Sequence, residues 1–164
     1  MKGKILVAYA GRCGSTAEVA QAIGRTLGGA GNRVDVLDIS SSIDLKGYDA
    51  AVIGSAVRIG QLMPETLKFV KENREILNGM PVALFSVGIT PYPDTAANRA
   101  KAFSFLAPLL NLVNPMSAAC FAGKVDTSNL PLPQRLIVKA VKCPQGDFRD
   151  WDVIREWARG LVAT

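Results

Sequence analysis

The run Ala10-Gly11-Arg12-Cys13-Gly14-Ser15-Thr16 joins an unbroken apolar block, Ile5 to Tyr9, to a helical pattern. Small and hydroxyl-bearing residues at the head of a helix leave main-chain N–H groups free to converge. The helix dipole adds partial positive charge there. The chemistry on offer is anion binding, above all of a phosphate. Each amide bonded to a charged oxygen contributes about 1.5–3 kcal/mol, and Ser15 and Thr16 add hydroxyl donors. Read alone, the run also fits a plain glycine-containing turn. Three familiar loops do not fit. No Lys follows Gly11 as a Gly-x-x-x-x-Gly-Lys loop requires, which argues against ATP or GTP. Gly-x-Gly-x-x-Gly fails at Cys13. A Cys-x5-Arg loop from Cys13 needs Arg where Val19 stands.

Two further loops bear on the same chemistry. Ile53-Gly54-Ser55-Ala56-Val57-Arg58-Ile59-Gly60 closes one apolar block, and Ser86-Val87-Gly88-Ile89-Thr90-Pro91-Tyr92 closes another. In open parallel sheets, ligands sit beyond the carboxyl ends of the strands, where strand order reverses. Gly54 and Gly60 allow close backbone approach to a flat ring. Three loops at one sheet edge suit a phosphate at one end and a ring at the other, which is FMN. Arg58 offers positive charge beside that ring, or a surface salt bridge. Tyr92 is the aromatic placed to stack on the ring.

Other chemistry is excluded by what is missing. The chain has no histidine, so it has no Ser-His-Asp triad, no Cys-His dyad and no His-ligated zinc or haem. No paired carboxylates stand out, and no side chain is assigned a catalytic or metal-binding role. Cys13, Cys120 and Cys143 are an odd number at wide spacing. That gives neither a disulfide framework nor a metal knuckle and points to a reducing, cytoplasmic setting. Cys13 reads as a loop filler or, alternatively, a redox sensor. Cys120 reads as core.

The elements that position these loops follow from periodicity. Strands are expected at 5–9, 34–37, 50–54, 82–87 and 118–122. Short apolar runs of this kind suit strands buried on both faces. Ser15 and Glu18 form an expected capping box, with Val19, Ile23 and Leu27 on one face of the helix that follows. A helix opens at Pro64 with Leu67, Val70 and Leu77 as its stripe. Another is expected at about 95–111. The last opens at Asp150 or Asp152 and packs Val153, Ile154, Trp157, Leu161 and Val162. Alternating strands and helices imply an α/β sandwich. With 164 residues, 49% hydrophobic and 20% charged, the chain suits one soluble domain over 1–164. The uncharged stretch between Lys101 and Lys124 is broken by prolines and reads as helix end, turn and buried strand, not a membrane span.

The segment Val7 to Ala20 resembles the phosphate loop of the flavodoxin superfamily. Val52 to Gly60 and Gly146-Asp147-Phe148-Arg149-Asp150-Trp151-Asp152 resemble one branch, the menaquinone-dependent protoporphyrinogen oxidases. The resemblance covers essentially the whole chain. It implies a flavodoxin-like three-layer sandwich whose five-stranded parallel sheet runs in the order 2-1-3-4-5. It implies FMN with its phosphate on Gly11, Arg12, Cys13, Gly14, Ser15 and Thr16. The ring would lie against Ala56, Val57, Arg58, Ile59 and Gly60, with Ser86, Val87 and Gly88 beside it. The superfamily usually carries Ser or Thr where Gly11 stands, so one hydroxyl is lost. The implied activity is oxidation of a porphyrinogen with a quinone as acceptor, within haem biosynthesis. The alternative is an electron carrier for a redox protein.

Charge separates these readings. Net charge is +5 and the isoelectric point about 9.3. Residues 95–146 hold six basic residues against Asp126 alone. A basic chain favours an acidic partner, an anionic porphyrinogen or an anionic membrane over the role of an acidic shuttle. Within 131–143, Arg135, Lys139 and Lys142 share one side of an amphipathic helix, and Leu136, Ile137, Ala140 and Val141 share the other. This helix is the candidate for substrate contact or for peripheral contact at the inner face of a membrane. An ordinary solvated face of a packed helix is the other reading. The basic region lacks interleaved aromatics, so nucleic acid is not an expected partner.

Overall fold

Strand residues alternate in direction, so an unbroken apolar run supplies both faces of a sheet. In β1 (Lys4–Ala10), Ile5 and Val7 point to one layer of core while Leu6 and Ala8 point to the other. The computed structural model describes residues 1–128, 130–140 and 143–163. After β1 come α1 (Ser15–Gly29), β2 (Arg33–Asp38), β3 (Ala50–Arg58), β4 (Gln61–Leu62), α2 (Pro64–Glu72), α3 (Arg74–Asn78) and β5 (Val82–Gly88). Then follow α4 (Ala96–Ser104), α5 (Ala107–Leu110), β6 (Ser117–Ala122), β7 (Lys124–Val125), α6 (Leu132–Ala140), β8 (Gly146–Asp147) and α7 (Trp151–Gly160).

The five long strands pair in parallel in the order β2-β1-β3-β5-β6. This is the expected 2-1-3-4-5 order, since β4 is only a short antiparallel arm on β3. One layer buries Val19 and Ile23 of α1 and Ile154 of α7 against Val52 and Phe85. The other buries Phe69, Val70, Leu106 and Leu109 against Ile53 and Leu84.

Several expectations need correction. The helix opening at Pro64 breaks at Asn73, whose side-chain amide donates to the Phe69 carbonyl at 2.8 Å. There Phe69 is buried and Leu67 only partly so. The helix expected over 95–111 is two, because Pro108 suits only the first turn of a new helix. Asp150 caps α7 by accepting from the amides of Asp152 and Val153, each at 3.1 Å, but Val153 stands half exposed. Gly54 and Gly60 do not open onto the cleft. A Cβ on Gly54 would lie 2.0 Å from the Phe85 ring, and one on Gly60 would lie 3.4 Å from the Phe105 ring.

The excursion between β6 and α7 was the least regular part of the sequence. Here β7 and β8 pair antiparallel, and α6 spans between them. Val141 and Lys142 lie outside the described residues.

Candidate functional site

The carboxyl ends of β1, β3, β5 and β6 surround a cleft of about 160 Å³ that is open to solvent on one side. Arg12, Cys13, Ser15 and Thr16 line it from the first loop. Ala56, Val57 and Arg58 line it from β3, and Val87, Gly88 and Ile89 from β5. Gly123, Lys124 and Val125 complete the wall.

The first loop is built differently from a capping box. Gly14 is the N-cap of α1, in the left-handed region at φ 80°, and no side chain caps the helix among the described residues. The Glu18 amide is the first to close a turn, onto the Gly14 carbonyl at 3.0 Å. The amides before it have no intrahelical acceptor. They are the unpaired donors an anion would take. The Ser15 hydroxyl instead accepts from the Lys124 amide at 3.1 Å, which leaves its own proton to donate. Glu18 turns away to Arg149.

Gly11 has a packing reason. A Cβ there would sit 2.8 Å from both Cβ and Oγ1 of Thr16. The room a side chain at 11 would need is already filled by Thr16, which is itself buried. A Cβ on Gly88 would lie 3.1 Å from Val57, and one on Gly123 would lie 3.0 Å from Val87 and 3.3 Å from the Ser15 hydroxyl. Gly88 and Gly123 stand on the cleft wall without side chains, so bare backbone lies beside the uncapped amides, and the cleft fits a phosphate with a flat group attached.

Of the expected site residues, the structure brings Arg12, Cys13, Ser15, Thr16, Ala56, Val57, Arg58, Val87 and Gly88 together. Gly11 and Gly14 flank them. Ile59, Gly60, Ser86 and Tyr92 are not on the wall. Ser86 is buried beneath it. Ile59 and Gly60 have φ values of 50° and 71° and turn the β3–β4 hairpin, as a two-residue turn with positive φ at both centres requires. Holding a β-branched side chain there costs about 1–2 kcal/mol, and Ile59 is fully exposed. Tyr92 stacks on Phe148 with centroids 4.0 Å apart, so one of its faces is already taken. Gly123, Lys124 and Val125 were missed, although the rule applied to the ends of the other strands points equally to the fifth.

Charge around the cleft is mainly positive. Arg12 reaches Glu65 at 3.1 Å. Arg58 is exposed and has no ion-pair partner among the described residues, so the salt-bridge reading has no support. Cys13 is exposed, while burial pushes the Cys120 thiol up.

Arg149 fastens the excursion behind the first loop. Its side chain is almost fully buried and bonds Glu18 of α1 and Asp147 of β8, both at 2.6 Å. It also lies 4.6 Å above the Trp151 ring. Hydrogen bonds from Arg149 hold the Asp147 carboxyl at about 2. A depressed carboxylate adds stability above its unfolded pKa and loses it as pH falls through its folded one. The clasp is therefore expected to weaken from about pH 4 down to about pH 2, seen as a change in tryptophan emission. Arg149→Met should remove that acid step and destabilise the fold by about 2 kcal/mol at neutral pH.

The chain matches the flavodoxin domain family over residues 6–152. It belongs to that family. The cofactor of the family is FMN. The protoporphyrinogen IX dehydrogenase (quinone) of Escherichia coli K12 is 26% identical over 173 residues, covering 97% of this chain and 94% of the relative. The protein of the same name from Leishmania major is 26% identical over 175 residues, covering 98% of this chain and 75% of that one. Oxidised flavodoxin 1 from Bacillus cereus superposes with a TM-score of 0.63 at 18% identity, covering 97% of each chain. The expected sandwich and strand order are thus those of the family, and distant relatives carry an oxidoreductase name.

Proposed function

We propose that this flavodoxin-family protein is an FMN-dependent oxidoreductase that oxidises an anionic, porphyrinogen-like substrate and reduces a quinone. Per cycle two electrons and two protons leave the substrate and arrive on the quinone, which becomes quinol. FMN, when bound, supplies the electron transfer. The chain's own residues bind and orient. The amides of residues 15–17, with the Ser15 and Thr16 hydroxyls, hold the phosphate. The backbone at Gly88 and the apolar sides of Val57 and Val87 leave room for a flat ring. Arg58 and Lys124 would supply a positive field at the place of the ring and draw a substrate carrying carboxylates.

The observation that carries this reading is the cleft itself, where uncapped amides meet a glycine cradle under a basic rim. Sequence similarity to two proteins named as quinone-linked protoporphyrinogen IX dehydrogenases supports the choice of substrate and acceptor. The basic charge argues against the electron-carrier alternative. Contact of 131–143 with the inner face of a membrane belongs to the same reading, because a long-chain quinone is carried in lipid.

The test is FMN titration followed by anaerobic reduction. FMN fluorescence should quench on binding. The loaded protein should take up two electrons without a stable one-electron stage and return them to a quinone. A persistent one-electron stage with no quinone turnover favours the carrier. Protein that neither quenches FMN nor releases heat with it ends the reading.

A further inference from the structure

Ser15 and Glu18 are spaced as a capping box, in which the glutamate side chain reaches back to the main-chain amide three residues before it. The fold does not make that bond. Glu18 Oε2 instead accepts from Nη1 of Arg149 at 2.6 Å, across 131 residues of chain. The Glu18 side chain is 55% exposed, so packing does not hold it there. Among the described residues, Arg149 is its one ion-pair or hydrogen-bond partner.

Arg149 is the fixed end of this contact. Only 5% of its side chain is exposed. Nε and Nη2 donate to the two carboxylate oxygens of Asp147 at 2.8 and 2.6 Å, a planar fork. The Trp151 ring covers the guanidinium at 4.6 Å, and Asp147 stands opposite Lys124 in the β7–β8 pair. Asp147 alone neutralises Arg149. Glu18 is a second carboxylate on the same cation and leaves the trio with a net negative charge. The burial of Arg149 therefore does not require Glu18, and the consequence of the contact falls on α1.

That consequence is a competitor removed. The first amides of α1 have no intrahelical acceptor. A released Glu18 would take the Ser15 amide and place a negative charge where the helix dipole favours any anion. It is near enough to do so to the cleft's cost. Glu18 lines a groove with Arg12, Cys13 and Lys124, and these three also line the cleft. An arriving phosphate would then find one donor fewer and one like charge more.

We propose that Arg149 is a positioning residue that keeps the anion end of the cleft open by drawing Glu18 out of the capping position. Arg149 touches no part of the cleft wall and acts through Glu18. The role rests on the function proposed above, since the anion is the FMN phosphate.

The test compares FMN with riboflavin, which has the same ring and no phosphate, by fluorescence quenching on each variant. Arg149→Met should weaken FMN at least about tenfold and riboflavin less than about twofold. Adding Glu18→Ala to Arg149→Met should regain at least about fivefold for FMN, because the competing carboxylate is gone. Glu18→Ala alone should change FMN affinity less than about threefold. Should Arg149→Met fold poorly by circular dichroism, Arg149→Lys keeps the charge without the fork and should weaken FMN alone by about threefold. Equal losses for both flavins overturn the proposal, because Arg149 would then be only a structural support. So does a double variant that regains nothing. Wild type that prefers FMN, with Arg149→Met keeping that preference, removes the role of Arg149 and leaves the cofactor reading standing. Wild type that takes neither flavin removes both.

Discussion

Replacing Ser15 by glutamate is expected to abolish FMN binding while the fold survives. The new carboxylate would stand beside the amides proposed to take the phosphate. Two like charges about 4 Å apart at an effective dielectric of 20 repel by ~4 kcal/mol, which is about a thousandfold in Kd. The substitution also removes the hydroxyl that accepts from the Lys124 amide. Stability should hold, because an acidic side chain in the first turn of α1 favours the helix. Fluorescence titration should show no quenching at concentrations that saturate wild type, with an unchanged circular dichroism spectrum. Wild-type affinity in this variant would remove the phosphate from the first loop.

Gly54→Ala is expected to be the most damaging single methyl group in the chain. Its Cβ would fall 2.0 Å from Cζ of Phe85 and 2.4 and 2.5 Å from the two Cε atoms. The ring cannot retreat. Phe85 is fully buried, with the Phe121 and Trp157 rings 6.3 and 6.4 Å away. The cost should reach about 3 kcal/mol, the upper end for overpacking. In urea denaturation, Phe85→Leu should cost much less in the Gly54→Ala background than alone, since it frees the space the methyl needs. Strictly additive losses would show that the ring and the strand do not meet.

These two sites show what the sequence could and could not disclose. The strands were legible because burial on both faces writes an unbroken apolar run. Asp150 and Pro64 were legible because helix starts have local chemistry. The first loop was located by its glycines and hydroxyls, yet its wiring was not. The oxygen of Ser15 is claimed by an amide 109 residues away, and no local pattern records that. Gly54 announced free space without saying that a ring from the next strand would fill it. The stripe on α6 was plain from its spacing, but periodicity gives the arc of a helix and not the direction it faces. Phe148 and Arg149 stood in a motif with no visible duty until the fold set them against Tyr92 and Glu18.

Gly11 and Thr16 share one corner of the first loop, so the space left to either position is set by the other. A serine at 11 meets a side chain already in place, and shortening Thr16 alone opens a hole in a buried corner. Substitutions at the two positions are therefore expected to compensate and not to add, so that the bulk a side chain at 11 brings is tolerated only when residue 16 gives up the same volume.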